Sequence, residues 1–355
     1  MSDSTTRMLR IEIPALLFVA FCALTGGAAA QTTTDARHIY GIHSWGNGAN
    51  GLLNGKTGWT VEVVNTDYWP YDLTVTQAQQ LRAEGWTLVI RINKFFGKTV
   101  PVNSGEFNAF AVACADKVTS FSAYCHTWII GNEMNASFES LEGPISVATY
   151  AEVYRRARTA IHNVQPEATV LVAPLAPWNA STTGAGPYPS NRQWLNYFYA
   201  LVRDIGSDAD GFAIHAYGGR SGDSDPRNDD ELSFGVYKRW MEIIDGYAPT
   251  ANKPVYLTEM NSFARGQSST PGFPLDPYPA GYIQKLFEEI GIWNQTHSHR
   301  IRCACWFAYA NGGFPGYNIS TSSPMADDFR DATANTNWIG ADPTAVSPAS
   351  WNLLE

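Results

Sequence analysis

The chain is short of charge. Only 16% of its 355 residues are Asp, Glu, Lys or Arg, the net charge is −9, and its 24 basic residues form no cluster. Nucleic-acid binding depends on a basic footprint for the phosphates, so nucleic acid is excluded as a partner and an uncharged polymer fits better. His297-Ser298-His299 brings two imidazoles together, but no carboxylate or cysteine in register completes a metal site. The glycine-rich stretch 46–55 carries no phosphate-binding motif, and no serine nucleophile elbow is present. These absences remove nucleotide enzymes, zinc hydrolases and serine hydrolases from consideration.

A membrane-spanning run is lacking too. The apolar stretch 13–24 is shorter than the ~20 residues a bilayer span needs. It follows Arg7 and Arg10 and leads into Gly26-Gly27-Ala28-Ala29-Ala30, the pattern of a secretory signal peptide over 1–30 cleaved after Ala30. Cys22 raises lipidation as an alternative, but the bulky Phe21 before it fits that processing poorly. Cleavage removes Asp3, Glu12, Arg7 and Arg10, so the net charge of 31–355 is unchanged. The expectation is a secreted or periplasmic protein with no stable membrane insertion after signal cleavage; its oligomeric state is left open.

Cysteine is sparse. Beyond the leader, Cys114, Cys125, Cys303 and Cys305 allow three pairings if all are bonded. Cys114 and Cys125 flank the end of a predicted helix and can close a short loop, or stay unpaired. Cys303 and Cys305 share a strand face at a spacing too long for an easy bridge, as small core residues would.

What is present is an alternation. Strand-like apolar runs occur at 39–44, 59–64, 87–93, 127–131, 169–173, 211–215, 255–258 and 303–309. Helical patterns, with apolar residues three and four apart, occupy 75–83, 107–121, 147–164, 194–205, 232–244 and 281–293. Eight strands alternating with helices predict an α/β fold, a (β/α)8 TIM barrel with its chemistry at the C-terminal strand ends. The connections 46–58 and 311–349 show no convincing helix, and 268–279 is rich in Pro and Gly. Without a repeat or composition shift, they read as long loops at the C-terminal face of a single domain.

Two of the runs end in glutamate: Trp128-Ile129-Ile130-Gly131-Asn132-Glu133 and Val255-Tyr256-Leu257-Thr258-Glu259. On the fourth and seventh strands of a closed barrel these carboxylates face each other across the mouth. Glycoside hydrolysis with retention needs such a pair, about 5 to 5.5 Å apart, one to attack the sugar and one to protonate the leaving oxygen.

The Asn132-Glu133 and Thr258-Glu259 pairs on those strands resemble the retaining glycoside hydrolases of clan A, of the family 5 and family 39 type. The resemblance implies Glu133 as acid/base, Glu259 as nucleophile and Asn132 as ligand of the sugar 2-hydroxyl. His215-Ala216-Tyr217 is similar to the His-x-Tyr of several clan A families, whose tyrosine hydroxyl bonds the nucleophile. Trp306, in Cys305-Trp306-Phe307, resembles the tryptophan flooring the subsite beside the cleaved bond; a core tryptophan is the alternative. Arg91, a charge inside an apolar strand, needs a partner. The resemblance offers the nucleophile, although the family 5 arginine comes from the second strand and Arg91 lies on the third. Glu62 is the alternative partner.

Trp45, Tyr68, Trp69, Trp178 and Tyr309 fall at predicted strand ends, where flat faces suit a pyranose, and His43 is a further candidate to line the cleft. The function expected is hydrolysis of a β-linked polysaccharide or oligosaccharide by double displacement, which requires no metal or organic cofactor. A non-catalytic carbohydrate-binding barrel and a transglycosylase using the same residues are the alternatives.

Overall fold

All eight apolar runs are strands: β1 (Tyr40–His43), β2 (Gly58–Asn65), β3 (Trp86–Asn93), β4 (Thr127–Ile130), β5 (Thr169–Val172), β6 (Gly211–Gly218), β7 (Val255–Ser262) and β8 (Ile301–Phe307). They pair in parallel in chain order, and β8 returns to β1, so the sheet closes without an edge. Strands in such a sheet are covered on both faces, which is why they read as near-continuous apolar runs rather than alternations. In β6 all eight positions are buried, His215 and Tyr217 included. The computed structural model describes residues 35–44, 49–177, 186–189, 192–218, 227, 233–262, 278–311 and 315–340. These lie in one compact unit within Thr34–Glu355. The predicted signal peptide, Trp45 and Trp178 fall outside the described residues.

The helices are α1 (Val75–Ala83), α2 (Phe107–Phe121), α3 (Val147–Val164), α4 (Gln193–Ile205), α5 (Tyr237–Asp245), α6 (Tyr282–Thr296) and α7 (Ser323–Ala334). Their starts are chemically marked. Thr74 and Gln77 form a reciprocal capping box ahead of α1, and the Ser146 hydroxyl accepts from Thr149 N–H at the start of α3. No helix among the described residues is long and apolar enough to cross a membrane.

Three expectations need correction. The stretch 311–349 is not wholly loop, because α7 occupies part of it and buries Met325, Phe329 and Ala332. Those three apolar residues recur at helical spacing but are outnumbered by polar neighbours. The helix expected over 232–244 begins only at Tyr237, after a 3-10 turn at Phe234–Val236. Nor do Cys114 and Cys125 close a loop: all four described cysteines are free and buried. Cys125 Sγ instead points at the carbonyls of Leu88 and Thr127, 3.4 and 3.2 Å away. Burial raises its pKa to about 12, so it is an unreactive core thiol.

Candidate active site

The carboxyl of Glu133 is held by its backbone. Gly131, just past β4, has φ +85, and a Cβ there would meet Thr99 Oγ1 and Val100 Cγ1, each at 2.9 Å. Glycine is therefore required before Asn132. The next backbone N–H, that of Asn132, donates to Thr99 Oγ1, and Glu133 N–H donates to Pro174 O at 3.0 Å. Glu133 itself has φ +34, a conformation costly for a non-glycine residue and kept where the surroundings over-determine it.

Glu259 is placed by an irregularity in the sheet. Pairing of β6 with β7 runs Ile214↔Leu257 and then shifts to His215↔Glu259, with the strands continuing to Tyr217↔Asn261. Such a shift re-aims side chains. Both strands thus extend several residues beyond the predicted ends, and Glu259 lies within β7 beside the His215-Ala216-Tyr217 segment.

Four basic or hydroxyl groups converge on Glu259. Tyr217 Oη donates to its Oε2 at 2.6 Å, and Arg91 Nη1 donates to its Oε1 at 2.8 Å. His43 Nε2 and His215 Nε2 stand 3.4 and 3.6 Å from Oε1. Arg91 Nη1 also donates to Asn132 Oδ1 at 2.8 Å, tying the two walls together. Its partner is thus the expected nucleophile, whereas Glu62 accepts from Thr60 Oγ1 at 2.7 Å on its own strand. Arg91 does lie on the third strand.

Among the described residues, the titratable group hydrogen-bonded to Glu133 is His215, whose Nδ1 lies 2.8 Å from Oε1. In the Nδ1–H tautomer this ring donates to Oε1 and leaves Oε2 to carry a transferable proton. One oxygen of each glutamate and one nitrogen of His215 all lie within 4.8 Å of one another.

The two carboxyls are driven apart electrostatically. Burial raises the pKa of Glu133, and His215 only partly offsets it. Burial acts on Glu259 in the same direction, but His215, His43, Arg91 and the Tyr217 hydrogen bond outweigh it and hold Glu259 down at about 2. Burial also takes His43 to about 3. That ring is uncharged at neutral pH, so the permanent charge of Arg91 and the Tyr217 hydroxyl dominate there.

Glu133, His215 and Glu259 are also the one grouping among the described residues with metal-ligand spacing. Arg91 and Tyr217 already engage the two Glu259 oxygens, so a cation would meet a guanidinium at its own coordination site.

The pair opens into a cavity of about 630 Å³ whose walls include Asn132, Arg91, His43 and Tyr217. His215, fully buried, lies beneath the carboxylates and bridges them rather than facing the cavity. Trp306 is placed differently from expectation. It is fully buried in the core, with Nε1 directed at Tyr317 O at 3.3 Å, and the next residue, Phe307, lines the cavity. Successive strand residues face opposite sides, so a one-residue error exchanges floor for core. Tyr309 packs half-buried against the core and is not in the cavity wall.

A third carboxyl escaped the sequence reading. Glu139, in the β4–α3 loop, lines the cavity and accepts from Asn132 Nδ2 at 3.1 Å. Burial raises its pKa to about 7. In sequence, Ser137-Phe138-Glu139-Ser140 resembles any solvated loop, and only a fold that turns it back over Asn132 gives it meaning.

No family model and no curated protein sequence matches the chain. Solved structures do. A glucosidase from Croceicoccus marinus superposes with TM-score 0.58 at 14% identity, covering 86% of this chain and 69% of that one. A family 39 glycoside hydrolase from Bacteroides cellulosilyticus gives TM-score 0.59 at 14% identity over 85% of this chain and 64% of that one. Fungal β-1,4-galactanase gives 0.51 at 17% identity over 82% and 94%. The fold is that of the (β/α)8-barrel glycosidases. At these identities the likeness is one of fold, and any argument about chemistry rests on the site.

Proposed function

We propose that the protein is a retaining glycoside hydrolase acting on a β-linked oligosaccharide or polysaccharide by double displacement. One observation carries the reading: two buried glutamates with oxygens within 4.8 Å, one stripped of its proton by Arg91 and Tyr217, the other inclined to keep it. Oxygens this close suit the narrow carboxyl separation of double displacement rather than the roughly 6.5–9.5 Å of inversion, and the split of protonation supplies a nucleophile and an acid. Glu259 attacks the anomeric carbon while Glu133 gives its proton to the leaving oxygen; Glu133, now the base, then takes a proton from water as the glycosyl-enzyme is hydrolysed. Asn132, fixed by Arg91 and Glu139, offers its amide to the sugar 2-hydroxyl.

A carbohydrate-binding barrel without catalysis has no need of an ionised glutamate clamped by arginine and tyrosine. A transglycosylase would share this geometry and is distinguished by product analysis with sugar acceptors. The apolar leader at 13–24 supports a secreted or periplasmic location, with 31–355 as the mature catalytic domain.

The test is stereochemical. NMR spectra taken early in hydrolysis of a β-linked substrate are expected to show the β-anomer first. An initial α-anomer would mean inversion and a different catalytic pair.

A further inference from the structure

One wall of the cavity has features that the carboxylate pair does not use. Asn65 ends β2 and Asn93 ends β3, and the two are register partners, side by side across the sheet. Both line the cavity, both are more than nine-tenths buried, and neither amide oxygen has a hydrogen-bond partner. Asp72 holds the Asn65 amide in place, accepting from its Nδ2 at 2.5 Å and from its backbone N–H at 2.9 Å, so that Oδ1 is the atom left over. A buried acceptor without a donor costs roughly 1–3 kcal/mol; both oxygens are covered in this structure, so a ligand hydroxyl that recovers this cost must first displace the atoms over them. Register partners on adjacent strands lie about 4.8 Å apart, close enough for two acceptors to take neighbouring hydroxyls of one ring.

Beyond these amides the wall becomes aromatic and wet. Phe96 stacks on Trp69 with centroids 5.5 Å apart and planes at 8°, and Tyr71 meets the same tryptophan edge-on at 5.7 Å. Tyr71 is 83% exposed, Phe96 69% and Phe138 54%, and all three line the cavity. Lys94, Lys98 and Lys117 near this wall are all paired with carboxylates. Among the described residues nothing here favours an anionic ligand.

We propose that this wall is a second sugar subsite, which takes an uncharged pyranose of the chain being cut, its hydroxyls on Asn65 and Asn93 and its apolar face on the Trp69, Phe96 and Phe138 rings. The proposal rests on the glycosidase reading and narrows it to an enzyme that prefers oligosaccharides over single-sugar glycosides. Flat aromatic faces match the C–H face of a pyranose, and paired amide acceptors match adjacent hydroxyls.

The test compares two substrates in the full-length protein. Cellotetraose, mannotetraose, xylotetraose and β-1,4-galactotetraose are assayed beside the aryl β-glycoside of each sugar. For whichever sugar is cleaved, Phe96→Ala combined with Phe138→Ala is expected to lower kcat/KM on the tetrasaccharide at least tenfold more than on the aryl glycoside. Equal losses on both substrates, or no loss, would overturn the subsite and leave the hydrolase reading standing. If nothing is cleaved, the hydrolase reading fails, and calorimetric titration with the same four tetrasaccharides decides the subsite. Binding weakened at least tenfold by the double substitution supports it, and no binding of any of them overturns it. Both side chains are largely exposed, so folding is not at stake.

Discussion

The ends of β4 and β7 present the same residue type to the same cavity and make different acids of it. At β7, a guanidinium and a phenol hydroxyl donate to the two oxygens of Glu259 and hold it ionised, with two imidazoles close by. At β4, Glu133 sits at equal depth with one imidazole beside it, and burial prevails. Burial alone does not set the protonation of a carboxyl; the count of donors and positive charges around it does. In the proposed mechanism, that inequality is what lets one glutamate serve as nucleophile and the other as acid.

Removing either member tests the contrast most severely. Glu259→Ala is expected to lower kcat by about 10⁴-fold or more, because no other group can form the glycosyl bond. Steady-state assay on any accepted substrate checks this, and a variant within tenfold of wild type would reassign the nucleophile. Glu133→Ala should lose about 10²–10⁴-fold on unactivated substrates, the usual worth of general acid–base help. It should keep the first step on activated aryl glycosides, which need no proton, and then stall at deglycosylation. Azide should restore turnover and yield a β-glycosyl azide. Wild-type rates on unactivated substrate would remove Glu133 from the mechanism.

Tyr217→Phe weakens the β7 side by one bond while keeping the ring. A hydrogen bond to a charged group contributes roughly 1.5–3 kcal/mol, so kcat/KM should fall by one to two orders of magnitude. The lost donor stabilised the ionised form, so the nucleophile pKa rises and the acidic limb of the pH–rate profile moves upward. An unchanged limb and rate would contradict the role given to Tyr217.

The smallest effect is expected at Glu139→Gln. With its pKa near 7, Glu139 gains negative charge as pH rises through neutrality, which opposes ionisation of Glu133. Removing that charge lets Glu133 lose its proton sooner, so the alkaline limb should shift down by a fraction of a unit. An upward shift would show that Glu139 acts otherwise, through the orientation of Asn132.

Much of this contrast was legible in the sequence. Apolar runs that end in Glu133 and Glu259 mark strand termini because a barrel strand is buried until its last residues. Arg91 stood out because a charge within such a run requires a partner. What the sequence did not show depends on register and loop path. The shift between β6 and β7 that aligns His215 with Glu259 has no local signature, and neither does the exchange of Trp306 for Phe307 at the cavity wall. Glu139 and the Asn65–Asn93 pair acquire their neighbours only through the closed sheet and the loop folded over it. Helix α7 was hidden because its few buried apolar residues stand among a majority of polar ones.

The division of labour is tested most directly by trapping the intermediate. A 2-deoxy-2-fluoro β-glycoside of the preferred sugar, with an activated leaving group, should inactivate the enzyme in a time-dependent manner, and peptide mass spectrometry should place the added sugar on Glu259. A label on Glu133, or rapid turnover and single-step inversion without any labelled peptide, would contradict the assignment of nucleophile and acid on which the account depends.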